Sequence, residues 1–97
     1  MASVRIINLG FETLRILVRY LTPFIGENDA LQLGEDLIDL ARENLEKYPL
    51  KCPVCNEMEQ IGVTDYRQLT VEKNYKILYR HYESNDEVNI MAFMRQR

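Results

Sequence analysis

A chain of 97 residues, 46% apolar and 28% charged, has room for one domain, 1–97, and the composition of a folded protein rather than a disordered, collagen-like or disulfide-dense one. No apolar run approaches the about 20 residues that span a bilayer, and Met1-Ala2-Ser3-Val4-Arg5 lacks the cationic-then-apolar pattern of a signal peptide, so a cytoplasmic protein without a membrane partner is expected. The net charge of −3 argues against a whole surface that grips nucleic acid, but the halves differ: residues 1–65 hold six Lys/Arg and eleven Asp/Glu, residues 66–97 six and four.

Val4-Arg5-Ile6-Ile7-Asn8-Leu9 is rich in β-branched residues and stops at Gly10, which predicts a short strand. Phe11, Leu14, Leu17, Val18 and Leu21 then recur at helical spacing, and Pro23 marks the end or last turn of a helix that runs to about Thr22. Gly26-Glu27-Asn28 makes the next turn, with Asn28 the expected N-cap of a helix reaching Tyr48, just before Pro49. Ala30, Gly34, Leu37, Ala41, Leu45 and Tyr48 share one face of this second helix, and the small ones let a partner helix approach closely. An antiparallel hairpin of helices follows, with Gly34 and Ala41 near the contact and Glu35, Asp36, Asp39, Glu43 and Glu46 on the solvated side.

Residues 49–64 read as one long loop, followed by strands at Tyr66–Val71, Tyr75–Tyr82 and Val88–Met94. The class is α+β: an N-terminal strand, a helical hairpin and a three-strand antiparallel meander in one sheet (β-α-α-β-β-β). If Lys73-Asn74 forms a two-residue turn and residues 83–86 the second loop, strand alternation divides the meander into two faces. Tyr66, Gln68, Thr70, Tyr75, Ile77, Tyr79, His81, Val88, Ile90, Ala92 and Met94 would face the helices. Arg67, Leu69, Val71, Lys76, Leu78, Arg80, Asn89, Met91 and Phe93, with Arg95 and Arg97 continuing the parity, would face outward. Apolar residues exposed beside Arg suit a protein partner, because interface cores are enriched in aromatics, Met and Arg.

The chemistry-bearing residues are few. Cys52-Pro-Val-Cys55 has the spacing of half a zinc site or of a redox dithiol, but with one histidine and no further cysteine a four-ligand site would need a second chain or scattered carboxylates, and two free surface thiols are expected. His81 falls near a strand end on the helix side, with no nucleophile or carboxylate placed beside it. No phosphate-binding loop, dinucleotide fingerprint or nucleophile elbow occurs, so neither cofactor nor metal is expected.

The order of elements, together with Tyr66-Arg67-Gln68-Leu69-Thr70-Val71, Asn74-Tyr75-Lys76-Ile77-Leu78-Tyr79-Arg80 and Ile90-Met91-Ala92-Phe93-Met94-Arg95-Gln96-Arg97, resembles the ParE/RelE superfamily of type II toxins over nearly the whole chain. The resemblance implies an N-terminal strand beside the last strand, helices on one sheet face, and a growth-arresting toxin of a plasmid- or prophage-stabilising pair. It also implies a co-encoded antitoxin that binds the toxin in a hetero-oligomer. RelE-like members cut mRNA on the ribosome with basic residues on the open sheet face, where Arg67, Lys76 and Arg97 would fall, and with an acid-base residue at or after the last strand. This sequence offers no such residue after Arg97 and is acidic overall. The resemblance therefore implies the ParE-like branch, inhibitors of DNA gyrase without catalytic residues, with ribosome-dependent endoribonuclease as the alternative. The expected surfaces are a target-binding basic face of Arg67, Lys76, Arg80, Arg95 and Arg97, and an antitoxin-binding apolar strip of Leu69, Leu78, Met91 and Phe93.

Overall fold

In a computed structural model that describes residues 1–72 and 74–95, strand β1 (Ser3–Ile6) buries Val4 and Ile6 and exposes Ser3 and Arg5, as alternation requires. It stops earlier than the β-branched run suggests, because α1 (Asn8–Ile25) begins two residues on and carries Gly10 inside it. A Cβ at Gly10 would sit 2.6 Å from the Ile90 carbonyl oxygen, so glycine here lets the first turn of the helix lie on strand backbone. One turn further, Thr13 accepts a 2.9 Å hydrogen bond from the Phe93 amide and donates one to the Gly10 carbonyl, covering the strand edge where β1 has ended.

Pro23 lies in the last turn of α1, one of its two expected places, where its fixed φ is compatible with helix and only one backbone bond is lost, and the helix runs three residues past Thr22. The stop comes at Gly26, whose φ of 89° suits glycine and whose N–H bonds the Thr22 carbonyl. Gly26 also opens α2 (Glu27–Lys47) by accepting from the Ala30 amide, so the expected cap at Asn28 lies inside the helix instead. Ala30, Gly34, Leu37, Ala41 and Leu45 are buried as their spacing predicts, and Gly34 lies against Val18 of α1. Tyr48 is exposed, just past the helix end.

The remaining elements are a short helix α3 (Asn56–Gln60) and strands β2 (Tyr66–Val71), β3 (Tyr75–Tyr82) and β4 (Glu87–Arg95). The sheet order is β1-β4-β3-β2, antiparallel except for β1, which runs parallel to β4 from Ser3↔Glu87 to Ile6↔Ile90. The segment expected to be loop throughout is therefore structured: Pro53–Cys55 runs along the outer edge of β2, with Cys55 N–H bonded to Tyr66 O and Gln68 N–H to Pro53 O. This covers part of an edge that would otherwise be open to pairing with another chain.

Two register details invert part of the expected faces. Val71 pairs with Tyr75 rather than with the expected Lys76, and Glu72 adopts φ 53° just after it. The pairing after Tyr79↔Ile90 then skips to Leu78↔Ala92, so Met91 is the extra residue of a β-bulge. Because alternation has period two, each one-residue shift turns the strand beyond it over. Leu69, Val71 and Phe93 pack on the helix side, whereas Tyr66, Ala92 and Met94 lie on the far side.

Candidate functional site

Tyr79, Ile77, Val88 and Ile90 form the centre of the helix-side core. The Tyr79 hydroxyl donates a 2.6 Å hydrogen bond to the Pro49 carbonyl, and burial pushes its phenol well above the usual tyrosine range. Arg67, expected on the outward face, instead donates from Nη1 to the Cys52 carbonyl at 2.7 Å. It ties down the loop and is no docking residue of the far face. Arg95 is also on the helix side, with Nη1 3.4 Å from the Tyr20 hydroxyl of α1. Arg97 lies outside the described residues, as do Lys73 and Gln96.

Lys76 and Arg80 do project from the far face, and each is already engaged. Residues 53–65 fold over that face, burying Cys55 on Leu78 and Ala92 with Met58, Tyr66 and Met94 around them. Glu57 of α3 accepts from Lys76 Nζ at 3.2 Å and from the Cys55 thiol at 3.1 Å. The thiol bond first, and then its own backbone amide and Lys76, hold the Glu57 carboxyl down at about 2. Asp65 lies 3.4 Å from Arg80, whose guanidinium also stacks 4.8 Å from the Tyr82 ring.

The expected apolar strip is therefore not one surface. Leu69 and Phe93 belong to the helix-side core, Leu78 lies beneath the covering segment, and Met91 is the bulged residue. The two cysteines are divided in the same way: Cys52 packs on the helix-side core and Cys55 on the far side, so Cys55 is no surface thiol. Among the described residues no three His, Cys, Asp or Glu side chains gather as metal ligands, and no helix is long and apolar enough to cross a membrane. His81 is on the helix side as its parity predicts, with Nε2 2.8 Å from Asp86, and so on the opposite sheet face from Lys76 and Arg80.

A second surface was absent from the sequence reading. Between α1 and α2 runs a groove of about 590 Å³, lined by Phe11, Val18, Leu31 and Ile38, with Arg15 and Arg19 on one rim and Glu27 and Glu35 on the other. Its signal in the sequence is the pairs Phe11/Val18 and Leu31/Ile38, each seven residues apart and offset from the buried stripe of its helix. The covering segment left no comparable signal, since Glu57 and Lys76 share no period.

A helical hairpin on one face of a four-strand sheet, with a single parallel pair at β1, defines the class of fold. The chain matches one from the chromosomal ParDE toxin–antitoxin system of P. aeruginosa over 100% of its own length and 98% of the other, with TM-score 0.79 and 18% identity. It matches one from the RelBE2 toxin–antitoxin complex of Mycobacterium tuberculosis over 98% of each chain, with TM-score 0.69 and 18% identity. No family model and no curated protein matches the sequence. The protein has the ParE/RelE-like fold.

Proposed function

We propose that this protein is the toxin of a type II toxin–antitoxin pair and that it acts by binding DNA gyrase. The observation that carries this reading is the full-length agreement of fold with chains of two such systems, the ParDE match having the higher TM-score of the two. Binding without chemistry is favoured by the far sheet face, where Lys76 and Arg80 are paired with Glu57 and Asp65 and the histidine is on the other side. A ribonuclease would need an acid and a base placed at one phosphate beside those cations.

The antitoxin would seat an amphipathic helix in the α1/α2 groove. From Phe11 to Thr22 the groove floor rises about 17 Å, enough for about three turns of helix. The basic and acidic rims ask for acidic residues on one flank of that helix and basic residues on the other, which would fix its direction. Leu31 is about half exposed, so Leu31→Asp should leave the fold intact while weakening antitoxin binding more than tenfold, as expected of an interface anchor. The deciding experiment is expression alone and with the antitoxin, followed by assays on purified targets. Growth arrest relieved by the antitoxin, with loss of gyrase supercoiling and intact mRNA, is the expected result. Intact supercoiling with mRNA cut on the ribosome would replace this reading by the endoribonuclease, and normal growth with folded protein present would remove the toxin reading.

A further inference from the structure

We infer that residues 53–65 are a displaceable cap, and that the sheet face beneath them docks an acidic protein segment whose carboxylates replace Glu57 and Asp65. The inference rests on reading that face as the target-facing surface of the toxin. Its first support is charge: among the described residues the two cations of the face are held by two carboxylates of one short segment, Lys76 by Glu57 and Arg80 by Asp65. The cap thus already displays the chemistry of the ligand, an acidic side chain beside a large apolar one, in Glu57-Met58 over Leu78 and Met94.

The second support is incomplete satisfaction. Arg80 has one carboxylate contact, at 3.4 Å, where a guanidinium fork can take a bidentate pair. Gln68 Oε1 and Asn89 Oδ1, both on this face by register, are buried acceptors without a hydrogen-bond partner among the described residues, which backbone N–H groups of a docked segment, though not its carboxylates, would supply. The third support is the weakness of the cover itself. Helix α3 has five residues and no side-chain cap, and both the Glu57 and the Asp65 side chains are mostly exposed. The Arg80–Asp65 pair, with both side chains at least a third exposed, is a surface pair of the kind worth little, and an external carboxylate can replace it readily. The apolar floor favours a protein segment over a nucleic acid.

A tethered cap competes at high effective concentration, so a cap closed about nine-tenths of the time lowers the affinity of an external ligand about tenfold. The test uses the full chain and two readouts: alkylation of Cys55 by iodoacetamide, located by peptide mass mapping, and binding of a fluorescent peptide of alternating Glu and Leu. Glu57→Lys should repel Lys76, raise Cys55 alkylation and tighten peptide binding about tenfold. Glu57→Lys combined with Lys76→Glu should restore slow alkylation, which an unfolded variant would not do, and should abolish peptide binding. Unchanged alkylation in Glu57→Lys, no gain in peptide affinity, or tighter binding of a single-stranded oligonucleotide than of the peptide would each overturn the inference. Loss of growth arrest with both in vitro results intact would overturn the toxin reading and leave the cap standing.

Discussion

On the helix side of the sheet Ile77, Tyr79, Val88 and Ile90 meet Leu37 and Leu45 with at most 1% of any of them exposed, whereas on the far side, among the described residues, only Cys55, Leu78 and Ala92 are buried, by a covering segment that holds a five-residue helix. The first arrangement stabilises through large apolar side chains, each contributing about 1.5–3 kcal/mol on burial. The second relies on a small cluster and on ion pairs with exposed carboxylates, which contribute little. Stability differs between the two sheet faces for this reason.

The largest expected effect tests that contrast directly. Leu37→Ala should cost about 2–5 kcal/mol in denaturant unfolding, as for other buried leucines. Leu78→Ala should cost clearly less, because the cap can settle into the space; an equal loss would break the comparison. Gly10→Ala comes next. It places a methyl against the Ile90 carbonyl, and the resulting overpacking of about 1–3 kcal/mol outweighs the roughly 1 kcal/mol gained in helix propensity. A stabilised Gly10→Ala variant would mean that α1 does not bear on β4 as closely as this.

Tyr79 supplies a pH test of the same core. Its folded pKa is raised by burial, so above the unfolded value of about 10 the unfolded chain loses a proton that the folded chain keeps. Stability is therefore full below that pH and falls as pH rises, by about 1.4 kcal/mol per unit until the folded phenol ionises. Denaturation midpoints at pH 8, 10 and 11 should show the fall, and Tyr79→Phe should lack it. The smallest effect belongs to the cap. With the Glu57 carboxyl held down at about 2, its interactions are intact above the ordinary glutamate range and are lost only as pH falls through that value. Carboxyl titration by NMR should find it there. Cys55→Ala and Lys76→Met should each raise it, while Glu57→Gln leaves the global unfolding midpoint in place.

What the sequence determined by itself was the order and kind of the major elements. The limits of β2 and β3, the buried stripe of α2 and the helical hairpin were legible because apolar periodicity and turn residues act locally. The sheet faces were decided by two local irregularities, the register shift that pairs Val71 with Tyr75 and the bulge at Met91. With a period of two, these moved Arg67, Leu69 and Phe93 to the helix side and put Ala92 and Met94 on the other. Only the tertiary structure could bring Glu57 to Lys76 and Asp65 to Arg80. Contacts between a segment folded back over the sheet and the strands beneath it depend on how the chain turns in space, and no repeat along the chain records that.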